Sequence, residues 1–305
     1  MKQLMLLLFL LFSVLFIKAQ DTTGKKNGYM PPAVDTSKIR MPAGMPSVLG
    51  GPVKAAADTV KRGLTIKPST IDFKLNSGQT GTAHVYIVNH LNKKKQFTLY
   101  LSDWVRDSLG AHVYTAPGSV ERSCARWVKL DRSFVEIDTG QTVDIPIKMQ
   151  IPDSAGATGE MKWTMLFLET TEEQVVESAS GLKTNVNNKV RVGVHLYQTP
   201  PSLTYKDVKI LSFDHADTSA RICHIVCQNT GTVQLECTSY LELSNIATGD
   251  KTKIDVPIFP LFPEQRRVVE FVIPDNIPKG KYSLIGVIDA GTDVPMEAAQ
   301  EMIDI

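Results

Sequence analysis

Asp103-Trp104-Val105-Arg106-Asp107 sets two acids around a tryptophan. Paired carboxylates carry glycoside hydrolysis when one of them sits in an apolar setting that keeps it protonated. No further acid lies in an apolar run to complete such a pair. The segment therefore reads as a loop with an exposed ion pair and a core tryptophan. Ser123-Cys124 with His112 or His90 has the residue types of a nucleophile and its base. Neither lies in the G-x-S-x-G elbow that would present it. The chain also lacks G-x-G-x-x-G, a P-loop and H-E-x-x-H. Its cysteines are Cys124, Cys223, Cys227 and Cys237, with no C-x-x-C among them, and its histidines are scattered. That pattern argues against zinc. Cys227 and Cys237 flank the turn segment Asn229-Thr230-Gly231-Thr232. An exported chain would permit a disulfide between them, and buried free thiols are the other reading. No motif calls for a cofactor, and an enzyme is the weakest reading.

The elements around these residues begin with a charged start, Met1-Lys2, and an apolar run from Leu4 to Ile17. Lys18, Ala19 and Gln20 follow. This is the layout of a secretory signal peptide over residues 1–19, cleaved near Ala19. The run is shorter than the roughly 20 residues a spanning helix needs, and no later stretch is long enough either. The expected location is the periplasm or the cell surface. Residues 20–63 are rich in Pro, Gly, Ala, Lys and Thr and poor in large apolar side chains. They read as a disordered leader. Lys and Arg number 33 and Asp and Glu 32, for a net charge of +1. Such a balance gives no long-range field for nucleic acid.

From Leu64 the apolar residues recur with period two. Ala83, Val85 and Ile87 share one face, as do Phe97, Leu99 and Leu101. This alternation marks half-buried strands. Further strands are expected at Trp127–Leu130, Ser133–Ile137, Thr142–Gln150, Met161–Glu169 and Lys189–Tyr197, with polar turns between them. Pro200-Pro201 ends the series like a hinge. A second series covers Leu203–Phe213, Ala220–Gln228, Val233–Leu243, Val268–Ile273 and Lys281–Asp289. Pro257, Pro260 and Pro263 demote their segment to an edge or a loop. The tail from Pro295 fits a last strand or a short helix. The expected fold is all-β, with immunoglobulin-like sandwiches at 64–199 and 200–305. The two halves look alike. Each has a strand ending in an asparagine, Asn89 or Asn229. Each then has a Gly-Gln or Glu-Gln turn, Gly140-Gln141 or Glu264-Gln265, before an alternating strand and a proline.

The first half resembles the N-terminal domain of PapD-like periplasmic chaperones and the related WxL-interacting cell-surface proteins. The resemblance rests on Tyr86-Ile87-Val88-Asn89, Trp127-Val128-Lys129-Leu130, Phe134 to Gln141, Val143 to Pro152 with Ala155-Gly156, Gly159-Glu160-Met161, and the strand from Lys189 into Pro200. It covers about residues 64–290, on motifs of low specificity. It implies that a partner's strand adds to an exposed sheet edge. The chaperones' basic anchor for a terminal carboxylate is not matched. Thr70 stands about where the family has an arginine, and Lys67 is nearby but out of register.

In the strand Lys189–Tyr197, Val190, Val192, Val194 and Leu196 fall on one face and Lys189, Arg191, His195 and Tyr197 on the other. The resemblance makes this strand the docking edge, with Lys189, Arg191, Val192, Val194, His195, Tyr197 and Lys67 as partner-binding residues. The plain alternative is an ordinary edge strand whose Lys and Arg block aggregation. Val192→Pro would remove a docking donor on this reading. The expected partner is another envelope or secreted protein, engaged at the sheet edge and the cleft between sandwiches. Two other readings stand beside this one. One is a stable component of a secretion, adhesion or motility apparatus. The other is a glycan-binding module with peptidoglycan contact, which would need a surface aromatic platform.

Overall fold

The structure is a computed structural model and describes residues 63–154, 156–177, 183–216 and 219–305. The signal peptide and nearly all of the leader expected from the sequence lie outside these residues. The described residues are all-β, built as two immunoglobulin-like sandwiches.

In the first sandwich one sheet has the order β1-β3-β8-β6, from Leu64–Lys67, Thr80–Asn89, Thr142–Gln150 and Val128–Leu130. The facing sheet runs β2-β10-β9-β4-β5. Its strands are Thr70–Phe73, Lys183–Gln198, Lys162–Glu177, Lys95–Arg106 and His112–Thr115, and β7 (Phe134–Ile137) also pairs with β4. The period-two faces pack as their spacing dictates. Val85 and Ile87 of β3, Phe97 and Leu99 of β4, Leu166 and Leu168 of β9, and Val194 and Leu196 of β10 meet in one buried core. The chain crosses between the sheets at Lys67-Pro68, a cis bond. β2 then pairs in parallel with the end of β10.

The second sandwich packs β11 (Val208–Ala216), β12 (Ser219–Asn229) and β15 (Arg266–Val272) against a second sheet. That sheet has the order β14-β13-β16-β17, from Lys251–Leu261, Leu235–Asn245, Lys281–Asp289 and Glu297–Asp304. It has its own core, which includes Ile225, Leu241, Phe271 and Leu284. The proline-bearing segment is the edge strand β14, where Pro257 and Pro260 omit donors that no neighbour needs. The tail is a strand. Cys227 lies on β12 and Cys237 on β13, so the pair belongs to facing sheets. Both are buried free thiols, and the bridge that the turn spacing permitted is not formed. Burial pushes the Cys227 thiol up to about 11 and the Cys237 thiol up to about 12.

The likeness of the two halves is atomic at one turn. Asn89 Nδ2 donates to Lys93 O and Ile137 O, and its Oδ1 accepts from Leu91 N. Asn229 does the same with Val233 O, Leu261 O and Gly231 N. The backbone around them repeats as well. Gly140 N donates to Asn89 O, Asn89 N to Gln141 O, and Gln141 N to Asp138 O. In the second sandwich Glu264 N donates to Asn229 O, Asn229 N to Gln265 O, and Gln265 N to Phe262 O. Asp138–Gln141 and Phe262–Gln265 are thus the same turn made twice.

Candidate functional site: the open edge of β10

β10 is paired with β9 along its whole length, from Lys183↔Glu177 to Gln198↔Lys162. On its other side β2 covers only His195–Gln198. Among the described residues no strand pairs that side from Lys183 to Val194. His195 N donates to Ser69 O, and Thr199 N to Phe73 O. Strand alternation then aims the N–H and C=O groups of Lys189, Arg191 and Gly193 toward the open side. The amide of Val192 faces β9 instead. Val192→Pro would therefore break the hairpin ladder with β9 and not, as the sequence led us to expect, remove a donor on the open edge.

The side chains sort as the alternation requires. Val194 and Leu196 lie in the core. Val190 and Val192, two steps further along the same face, are 52% and 39% exposed. An apolar stripe thus leaves the core and runs into solvent beside unpaired backbone. On the opposite face the basic residues are engaged within the chain. Lys189 Nζ is 3.4 Å from Glu169, which also accepts from Tyr100 at 2.7 Å. The Arg191 guanidinium lies over the rings of Phe167 at 4.6 Å and Tyr114 at 5.0 Å. Tyr197 is buried, and His195 is half-buried. Of the seven residues expected to meet a partner, Val192 is apolar and open, Lys189 and Arg191 are exposed but already stacked or paired, and Val194 and Tyr197 are enclosed. Lys67 lies on β1, in the other sheet, opposite Tyr86.

Below this edge, the outer face of the same sheet carries an aromatic cluster of Trp104, Met161, Trp163, Met165, Phe167, Tyr197 and Phe262. Phe262 comes from the second sandwich. Its ring centroid is 4.9 Å from Trp104, 5.0 Å from Trp163 and 5.6 Å from Tyr197. Arg122 Nη2 pairs with Glu264 at 2.8 Å, and Val268 N donates to Ser108 O at 2.7 Å. Gly110, at φ +87, lets the β4–β5 turn lie against the Arg267 guanidinium, where a Cβ would collide with it. These contacts join the sandwiches, and sequence reasoning placed none of them. Their partners come from separate segments, and only the tryptophans' apolar context hinted at burial.

The residues with catalytic potential are accounted for structurally. Asp103 lies on β4 rather than in a loop and is fully buried. It accepts from Ser119 N, Ser123 Oγ and Thr164 Oγ1. Cys124 is buried, its thiol pushed up by burial and then by Asp103. Among the described residues no group of three or more His, Cys, Asp or Glu side chains could hold a metal ion.

His112 is not beside Ser123. Its Nε2 stands 3.3 Å from His195 Nε2, and both rings lie against Trp104. Burial, then Arg106 and His195, push His112 from its usual 6.5 down to about 4. Burial and Arg106 lower His195 as well. Both rings are thus neutral in the folded chain near pH 7. Below pH 6.5 the unfolded chain binds a proton at His112 that the folded chain refuses, so stability falls as pH drops toward about 4. We expect the melting temperature to fall between pH 7 and pH 4.5, and to fall less in His112→Gln. Equal falls in the two proteins would remove His112 as a cause.

No family model matches the chain, and no curated protein matches it. Solved structures do. One is the class 5 fimbriae chaperone CfaA, at 12% identity and TM-score 0.41 over 78% of this chain and 98% of that one. A second is a chain of the CsuC–CsuE chaperone–tip adhesion subunit pre-assembly complex from the archaic chaperone-usher Csu pili of Acinetobacter baumannii, at 12% and 0.42 over 79% and 97%. A third is the E. coli chaperone DraB, at 10% and 0.37 over 80% and 96%. The chain is similar to PapD-like fimbrial chaperones. At 10–12% identity and TM-scores of 0.37–0.42, none of these likenesses carries a role to this chain. The β2–β10 pairing sets Thr70 opposite His195 and Asp72 opposite Tyr197, so no lysine or arginine stands in that stretch of the pairing.

Proposed function

We propose that this chain is an exported, non-enzymatic assembly protein that binds a partner by adding the partner's strand to the open edge of β10. The observation that carries this reading is the coincidence of unpaired backbone with the exposed stripe of Val190 and Val192. Unpaired edge amides are a template for another strand, and an apolar stripe beside them supplies pockets or knobs for alternate side chains. The partner is a protein with an incomplete sheet or an extended apolar segment. The signal-like segment at residues 1–19 supports an envelope location. A glycan platform has less support, because Trp104 and Trp163 are buried in the aromatic cluster.

The test is crosslinking in the native envelope, with crosslinks mapped onto the chain. Lys189→Pro removes an outward amide and leaves the β9 ladder intact. Val192→Asp puts a charge on the stripe. Both variants are expected to stay folded by circular dichroism and to lose crosslinks at 189–194, with partner affinity down at least about tenfold. Unchanged crosslinks at these residues in both variants would end the edge-addition reading.

A further inference from the structure

The turn made twice differs in two respects between its copies. Gly140 sits at φ +76, a conformation that costs glycine nothing. Its counterpart Glu264 sits at φ +65, alone among the described non-glycine residues in having a positive φ. A side chain there crowds its own backbone. The neighbours differ in the same direction. Asp138 faces solvent and pairs with Lys94 at 3.3 Å, whereas its counterpart Phe262 is buried against Trp104 and Trp163. Glu264 reaches across to Arg122, whose side chain is largely buried and also donates to Met161 O. Both changes that set the second turn apart thus point into the first sandwich.

We infer that the turn Phe262–Gln265 is a latch between the sandwiches. Glu264 is a positioning residue, kept in left-handed backbone because its carboxylate holds Arg122. Trp163 and Met161, which the latch grips, lie on or beside β9, the strand that carries β10. The latch therefore sets how the open edge is presented beside the second sandwich; that last step rests on the docking reading proposed above.

A double-mutant cycle tests the latch without any partner. In the Arg122→Gln background, Glu264→Gly releases backbone strain with no ion pair to lose. The folding equilibrium constant should rise about fivefold. In the unaltered background the same change should leave it within about twofold, because strain relief is offset by loss of the pair. The same rise in both backgrounds would overturn the latch. Residual dipolar couplings give the second readout. The two sandwiches should share one alignment tensor in the unaltered protein and need two in the Phe262→Ala, Glu264→Gly double variant. One shared tensor in that variant would also overturn it. If two tensors appear but crosslinks at 189–194 persist unchanged, the latch stands and its link to docking fails. If Lys189→Pro and Val192→Asp both leave docking intact, the docking reading fails and the latch is untouched.

Discussion

Phe262→Ala is expected to lower stability by about 3–5 kcal/mol, the range for deleting a buried aromatic ring, and to split one unfolding transition into two. The ring is 2% exposed, yet it contributes nothing to the core of its own sandwich. It packs instead with residues of β4, β9 and β10 from the other one. Each sandwich has a separate core, so each could unfold as a unit once uncoupled. Other links include the backbone bond from Val268 to Ser108, the approach of Gly110 to the Arg267 guanidinium and the Arg122–Glu264 pair. That pair has a carboxylate 76% exposed and contributes at most about 1 kcal/mol, enough to offset the strain at Glu264 but well short of the ring's share. Most of the coupling therefore rests on Phe262. Urea unfolding followed by tryptophan fluorescence reports the first sandwich, because Trp104, Trp127 and Trp163 all lie in it. Circular dichroism reports both. The two probes should coincide in the unaltered protein and separate in Phe262→Ala. Coincident probes with an unchanged midpoint would show that the cluster is not what couples the sandwiches.

What the sequence made legible follows from what alternation can encode. Val85 and Ile87, or Phe97 and Leu99, betray their strands because one face is buried and the other wet. β9 and β10 run on to Glu177 and from Lys183, well past the expected Glu169 and Lys189. There the two strands pair with each other, beyond the apolar alternation from which the sequence marks them. β5, four residues long, is not among the strands the alternation marks. The stripe on β10 was visible, but its chemistry was not. Arg191 looks like a docking cation until Phe167 and Tyr114 are found beneath it. Asp103 looks like half of an exposed pair until its donors from Ser119, Ser123 and Thr164 are seen. The latch was hidden for a related reason. Glu264 and Phe262 differ from Gly140 and Asp138 in a way that makes sense only once Arg122 and Trp104 are known to be across the gap.

The asparagines give the other large effect. Asn229→Ala should cost about 3 kcal/mol, from three lost hydrogen bonds at about 1 kcal/mol each. Two of the bonds hold carbonyl oxygens, and the third supports Gly231 N, which also donates to Asp207 O. Leu261 O ends β14, Val233 O leads into β13, and Gly231 N closes the turn after β12. Asn229 is fully buried, so water does not replace the amide without a cavity opening. Asn229→Asp should be worse than Asn229→Ala, since a carboxylate would face two carbonyl oxygens with no proton to give. Asn89 is equally buried and makes the same three bonds in the first sandwich. Asn89→Ala should therefore shift its own sandwich by a similar amount. Urea midpoints should move with the slope unchanged if the native state is destabilised without other change. A loss below about 1 kcal/mol at either position would show that the turn is held by its strands and not by its asparagine. Similar losses at both would mean that one side-chain device fixes the same chain reversal in each sandwich, leaving the residues between, Asp138 or Phe262 and Gly140 or Glu264, free to differ in what they reach.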